Sequence, residues 1–413
     1  MDEPLHRSRP GGFDIRPASG TAATRVADSV WLSEGLSNAY LVVTSEGRVV
    51  INTGMGFEGP VHKRLFDAVD AGPVRYILLT QSHVDHVGGV DLFREPGTEI
   101  VAQANNAFCQ ADDARIHPFR VAHSAPFFPG AVDRAEKNLH VQARPAPTRT
   151  FVDRDSFDLG GIRFELIATP GGETVDSMCV WLPGPRIAFV GNVFSALFGH
   201  FPNLVTLRGD RYRFALPFID AVERVATLEP DLLLSGHFAP IRGRNLIRRE
   251  LERLRDAVRF VHDATVAGMN AGRDVNDLMR EIRLPAELEV GEGYGCIAWS
   301  VRAIWESYAG WFHQRSTTEL YPVPASEVHP DVVALAGGAT AVAGLALARL
   351  ERGEAVAAIH LAEMALAAEP DSRPALEAHL AAHEHLLAER GGRNFWETGW
   401  LRHQVARTRS RLG

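Results

Sequence analysis

The sequence predicts an α/β layered domain followed by an all-helical C-terminal domain. Three observations point to this. From Thr24 to about Gly243, short apolar runs are separated by turn residues and helical stretches, the pattern of a layered α/β architecture. After Gly243 the strand texture stops, and residues 244–282 read as helix with an apolar stripe of Leu246, Leu251, Leu254, Val258 and Val261. From Val332 to Arg390 the chain is rich in Ala and Leu and helical, with breaks at Arg352-Gly353, Pro370-Asp371 and Gly391-Gly392.

Taken in order, residues 1–22 are rich in Pro, Gly, Arg and Ser and are expected to form a flexible arm. The runs "AYLVVTSEGRVVINTG", "VRYILLT", "EIVAQ", "IRFELIATP", "MCVWLPGPRIAFVGN" and "DLLLSGH" read as strands. Two of them fold back as hairpins, at Ser45-Glu46-Gly47 and at Pro183-Gly184-Pro185. "GPVHKRLFDAVDA" and "RFALPFIDAVERVATLEP" read as the helices between them. The expected division is an arm over 1–22, a catalytic domain over 23–243, a helical and loop extension over 244–330 and a helical domain over 331–413. The layout of that last domain resembles helix-turn-helix pairs of the tetratricopeptide kind, with too few repeats for a solenoid. Its apolar helices call for a partner surface, and a homodimer is expected.

Composition narrows the function classes. Of 413 residues, 46% are apolar and 23% charged, which is ordinary for a globular chain. A net charge of −8 argues against a sequence-independent nucleic-acid binder. Cys109, Cys179 and Cys296 are far apart and form no CxxC pair, so buried, reduced thiols are expected. With neither a secretory h-region at the N-terminus nor an apolar run of membrane-span length, the expectation is a cytoplasmic protein without a membrane partner.

The chemistry concentrates at strand ends. In "ILLTQSHVDHVGG" a buried strand opens into Gln81, His83, Asp85 and His86. Gln81 and His83 alternate along extended chain and point the same way. Imidazole with carboxylate suits Zn²⁺, Mn²⁺ or Fe²⁺. Glu173 in "TPGGETVDSM", Asn192 in "FVGNVF" and His237 in "LLLSGHFAPI" each follow a further apolar run. A lone polar residue at a strand end is usually solvated or satisfied by its turn, but a series of four weakens that reading.

This series resembles the metallo-β-lactamase fold, an αβ/βα sandwich with metals at one sheet edge. Gln81-Ser82-His83-Val84-Asp85-His86 fills the family's His-x-His-x-Asp-His element. Glu173, Asn192 after Gly191, and His237 after Gly236 fill its later ligand positions. Glu in the turn at position 173 is what the alkylsulfatase branch shows. "FPNLVTLRGDRYR" resembles that branch's sulfate-binding segment, which gives Arg208 the sulfate role. "SYAGWFHQRSTTELYPVP", the Ala-rich helices and "NFWETGWLR" resemble its dimerisation domain. The resemblance covers residues from about 24 to 405, and the lipid-carrier-like domain that ends longer members has no counterpart in this sequence.

Three positions depart from that pattern: Gln81 for His, Asn192 for the metal-bridging acid, and Asn52 for the usual Asp. Asp85 and Glu173 remain, so two negative charges oppose the four positive charges of two dications. Such ions sit about 4 Å apart and repel unless an anion bridges them. The resemblance therefore implies an intact site of Asp85, His86 and His237 and a weakened one of Gln81, His83 and Glu173. One Zn²⁺ is expected to bind tightly and a second weakly or not at all, with Fe²⁺ or Mn²⁺ as alternatives. Asp85, His83 and Asn192 are the expected catalytic residues. Arg208, alone or with Arg211 or Arg213, is expected to hold an anionic head group. In the Pro- and His-rich loop "HPFRVAHSAPFFPG", Phe127 and Phe128 are expected to line an apolar wall, unless they form a satellite core under the loop. His123 and His200 are spare histidines.

The function these readings imply is hydrolysis of an anionic ester such as an alkyl sulfate by metal-activated water. Two alternatives are a non-haem iron oxidoreductase, built on two His and one carboxylate, and a non-catalytic member that binds a ligand or partner.

Overall fold

A computed structural model describes residues 3–129, 141–211 and 213–413, arranged as two compact units. The first unit opens with β1 (Thr24–Ala27), β2 (Val30–Ser33), β3 (Ala39–Thr44) and β4 (Gly47–Ile51). It continues through α1 (Gly59–Asp67), β5 (Val74–Leu79), α2 (Val84–Val87), α3 (Val90–Phe93), β6 (Glu99–Gln103), α4 (Asn106–Arg115), α5 (His117–Ser124) and β7 (Arg149–Phe151). These seven strands form one sheet in chain order. The second half supplies β8 (Arg154–Leu159), β9 (Ile162–Ala168), β10 (Met178–Leu182), β11 (Ile187–Gly191), α6 (Ala215–Ala226), β12 (Leu232–Ser235) and β13 (Ile241–Arg242). Its six strands form a second sheet, β13-β12-β11-β10-β9-β8. α7 (Arg244–Asn270), α8 (Val275–Glu281) and α9 (Ile297–Ala309) follow.

Side-chain alternation makes the layers. In β10, Met178, Val180 and Leu182 face the core between the sheets, while Cys179 and Trp181 face the helices outside. β5 does the same, with Leu78 between the sheets and Ile77 and Leu79 against the α1 and α3 residues Phe66, Val90 and Phe93. Both faces of these strands are thus apolar, so the strands read as continuous hydrophobic runs. Phe218 and Val222 of α6, Leu251, Leu254 and Val258 of α7, and Val301 and Ile304 of α9 cover the second sheet. The result is an αβ/βα sandwich, and both expected hairpins are present, as β3–β4 and β10–β11.

Three expectations need correcting. The arm is anchored: Leu5 packs on the core behind the second sheet, Arg7 pairs with Glu289 at 2.6 Å and Arg9 donates to the Ala239 carbonyl at 2.9 Å. Apolar contact and guanidinium bonds thus hold a segment whose composition alone reads as mobile. The change of texture at Gly243 is not a unit boundary. Because α7 buries its stripe against the first unit, the division falls between Ser307 and Tyr308. The Pro- and His-rich stretch is not all loop, since His117–Ser124 is helical with Pro118 in its first turn, where a missing N–H costs nothing. Its last residue, Gly130, lies outside the described residues.

The second unit comprises Pro126–Pro129 and Tyr308–Gly413. It contains α10 (His329–Leu335), α11 (Ala339–Glu351), α12 (Ala355–Ala368), α13 (Arg373–Arg390) and α14 (Phe395–Leu412), broken where the sequence predicts. Ala343, Ala346, Ala358, Ala362, Ala365, Ala375, Ala378 and Ala382 form its seam, small side chains that let helices approach closely. The Asn394 side chain caps α14, accepting from the Trp396 and Glu397 backbone at 2.9 and 3.1 Å. Phe127 packs on Trp396 and Trp400, with ring centroids 5.3 and 6.4 Å apart, and Phe128 on Phe395 at 5.6 Å. The two rings read as a substrate wall are thus engaged inside the helical unit. Among the described residues no single helix is long and apolar enough to cross a membrane.

Candidate metal centre

Parallel pairing of β4 with β5 and of β11 with β12 brings the carboxyl ends of these strands to one edge of the sandwich. β9 runs antiparallel to β10, and β10 to β11, so β9 ends on the same side. The two sheets are stitched there by Met178 N donating to Thr80 O at 2.9 Å. Asn52 leaves β4 with a φ of 57°, a left-handed conformation that Asn tolerates. Its amide accepts from Thr80 N at 3.0 Å and donates to Thr80 Oγ1 at 2.9 Å. It therefore braces the segment that carries Gln81 without facing the site itself.

One group of side chains is built around His86. Ser37 Oγ donates to the Gly236 carbonyl at 3.2 Å, so toward His86 Nδ1, 3.1 Å away, it acts as acceptor. This puts the His86 proton on Nδ1 and leaves a lone pair on Nε2. Nε2 is buried and has no hydrogen-bond partner, as are His237 Nδ1 and Asn192 Oδ1. The His86 and His237 rings stand edge to face with centroids 6.4 Å apart, and Asp85 Oδ2 lies 3.5 Å from His86 Nε2. Burial outweighs the pull of Asp85 and lowers both histidine pKa values, so both rings are neutral at pH 7. Burial pushes the Asp85 carboxyl the other way, but the facing histidines win and hold it below its ordinary value.

A second group is built around Glu173. Gln81 Nε2 donates to Glu173 Oε2 at 2.7 Å and lies 3.0 Å from His83 Nδ1. Arg213 Nη1 reaches Glu173 Oε1 at 3.2 Å. His83 Nε2 stands 3.4 Å from Asp210 Oδ2, and that oxygen also meets Arg208 at 3.4 Å and Arg120 and Arg213 at 3.5 Å. Burial would lower the His83 pKa, but its contacts with Asp210 and Glu173 raise it to about 9. Burial would raise both carboxyls, yet Arg213 and His83 hold Glu173, and His83, Arg208 and Arg213 hold Asp210, far below the usual range.

Buried atoms without a hydrogen-bond partner occur on both sides, His86 Nε2, His237 Nδ1 and Asn192 Oδ1 on the first and Gln81 Oε1 on the second. Orphaned, buried donor atoms on neutral His86 and His237, with the Asp85 carboxylate adjacent, are what a divalent ion satisfies. Among the described residues no three His, Cys, Asp or Glu side chains are grouped as a closed ligand set. On the second side Glu173 already has Gln81 and Arg213 as partners, and His83 stands between Glu173 and Asp210.

All seven ligand positions read from the sequence thus lie at one edge, on loops and on the short helix α2, in two groups. Arg208 lies in the second, while Arg211 is turned outward onto Asp112 and Phe108. His123 stacks on Phe119, and buried His200 accepts from Gly293 N at 2.9 Å. Sequence reasoning missed Ser37, Asp210 and Arg120. Asp210 stood inside the quoted Arg208 segment, whereas Ser37 carried no signal.

Residues 32–237 match the metallo-beta-lactamase superfamily, and residues 274–399 match the alkyl sulfatase dimerisation family. The chain carries a metallo-beta-lactamase superfamily domain joined to an alkyl sulfatase dimerisation domain. Among curated proteins it is similar to a linear primary-alkylsulfatase of Pseudomonas sp., at 28% identity over 72% of this chain and 60% of that protein. The alkyl/aryl-sulfatase BDS1 of Saccharomyces cerevisiae is 26% identical over 88% of this chain and 60% of its own length. This chain therefore spans about 60% of the length of these relatives. Its fold is that of the stereoselective inverting sec-alkylsulfatase Pisa1 from Pseudomonas sp., with a TM-score of 0.81 at 20% identity over 95% of this chain and 66% of that one.

Proposed function

We propose that the chain is a metal-dependent hydrolase of anionic esters, with alkyl sulfates as the substrate class. The observation that carries this reading is a pair of neutral, buried histidines with unsatisfied donor atoms, on the same sheet edge as a cluster of half-buried guanidinium groups. Asp85, His86 and His237 would hold the metal, with Zn²⁺ the ion their donors suit best. When bound, such an ion supplies Lewis acidity, polarising an ester oxygen or lowering the pKa of water.

The remaining work falls to the chain's own residues. The ionised Asp85 carboxylate is the group available to orient a water and take its proton. Arg208 receives the sulfate oxygens: it is more exposed than Arg213, at 19% against 8%, and it has one carboxylate partner, Asp210, rather than two. His83 is the proton donor available to a leaving oxygen. The Asn192 amide oxygen, buried beside Gly236 and without a hydrogen-bond partner, brings no charge of its own.

The test is release of sulfate from octyl and dodecyl sulfate by the metal-loaded protein, followed by ion chromatography. Turnover is expected for wild type. Arg208→Ala should raise KM about 10–150-fold, the equivalent of ~1.5–3 kcal/mol from charged hydrogen bonds, with little change in the melting temperature. No sulfate release from any alkyl sulfate, with metal bound, would sink the reading.

The helical unit is proposed to pair with a second copy of the chain. Leu335 is 90% exposed, and Leu345, Leu347 and Val356 are exposed as well. An apolar surface of this kind on one unit is the mark of a contact face. Light scattering should give twice the chain mass at micromolar concentration, and a stable monomer would refute the pairing.

A further inference from the structure

We propose that the Arg213 guanidinium stands in for a metal cation beside Glu173, which limits this chain to one bound metal. The inference rests on the reading of Asp85, His86 and His237 as the metal-holding set. The Arg213 side chain is 8% exposed, and its two terminal nitrogens reach different carboxylates, Glu173 Oε1 at 3.2 Å and Asp210 Oδ2 at 3.5 Å. The Asn203 carbonyl accepts from Nη1 at 3.4 Å. A guanidinium held in this way is fixed in place and always charged.

The carboxylates around it are already met by basic groups of the chain, with His83 between Glu173 and Asp210 besides the guanidinium groups. Glu173 meets Arg213, Asp210 meets Arg208, Arg213 and Arg120, and Arg120 also pairs with Asp113. Three carboxylates thus face three guanidinium groups. A dication added here would bring two uncompensated positive charges against Arg213 in a buried site, where repulsion is poorly screened. The donors are partly committed as well. The Gln81 amide nitrogen, which has no lone pair to offer, bonds Glu173, and the buried Gln81 Oε1 is the amide atom left without a hydrogen-bond partner. The other site has no such occupant: the nearest charge to His86 Nε2 is the Asp85 carboxylate.

Metal counting tests this directly. Wild type and variants are loaded with excess Zn²⁺, dialysed, and assayed for zinc per chain by plasma mass spectrometry, with folding followed by circular dichroism. Wild type should hold one zinc per chain. Glu173→Gln should still hold one, because Glu173 serves Arg213 and not the metal. Arg213→Met should take up a second zinc at excess metal, whereas Arg213→Lys, which keeps the charge, should stay at one. Two zinc ions per wild-type chain, or loss of the single zinc in Glu173→Gln, overturns the proposal even if Arg213→Met fails to fold. A folded His237→Ala protein that keeps its zinc overturns the ligand assignment itself, a distinct failure.

Discussion

His86→Ala and His237→Ala are expected to lose bound metal altogether, and Ser37→Ala to weaken metal binding by about 10–100-fold while the protein stays folded. The two histidines supply buried nitrogens with no other partner. Ser37 touches no metal, but its hydroxyl is committed to Gly236 O and so forces the His86 proton onto Nδ1. Without it His86 can place its proton on Nε2, the wrong nitrogen for a metal. A competition titration of Zn²⁺ against a chromophoric chelator measures the effect, with thermal melts as the folding control. Unchanged affinity in Ser37→Ala would show that another group sets the tautomer.

Gly236→Ala should cost the protein its activity, by about 100-fold or more, through a single methyl group. An added Cβ would stand 2.2 Å from Asn192 Oδ1 and 3.0 Å from His86 Cε1. The Gly236 backbone cannot retreat easily: its carbonyl accepts from Asn38 N at 2.6 Å, and its N–H donates to Gly191 O at 2.7 Å. Overpacking of this kind costs ~1–3 kcal/mol of stability, and a displacement of about 1 Å at reacting groups costs ~100-fold in rate. Metal content and sulfate release should fall together. Gly184→Ala, in the β10–β11 turn, is the control, because nothing lies within 4 Å of its added Cβ. A Gly236→Ala protein with wild-type metal content and rate would mean the edge has slack that the packing does not show.

The layers were legible because each strand alternates its apolar residues between two cores, as in Met178 to Leu182, and the turns at Ser45 and Pro183 carry strong local signals. The helix breaks at Gly353, Pro370 and Gly391 were legible for the same local reason. The anchoring of Leu5, Arg7 and Arg9 was not. It depends on Glu289 and Ala239, more than two hundred residues away, and nothing local in an arginine names its partner. Of the two readings open for Phe127 and Phe128, a substrate wall or a satellite core, their ring contacts fit the second: an apolar pair in a Pro-rich stretch states that it will be buried, not against what.

The ligand positions followed from sequence because strand ends in such a fold converge on one edge, and Gln81, His83, Asp85, His86, Glu173, Asn192 and His237 are side chains on those ends. By itself the sequence also determined that these positions supply two carboxylates, Asp85 and Glu173. What it left open was which partners they meet. Only the tertiary structure decided that, by setting Arg213 against Glu173 and Asp210 and by turning Ser37 toward His86. Burial makes both contacts decisive: with water excluded, an unpaired charge or lone pair has no other partner, so the neighbours the fold supplies set the state of each group.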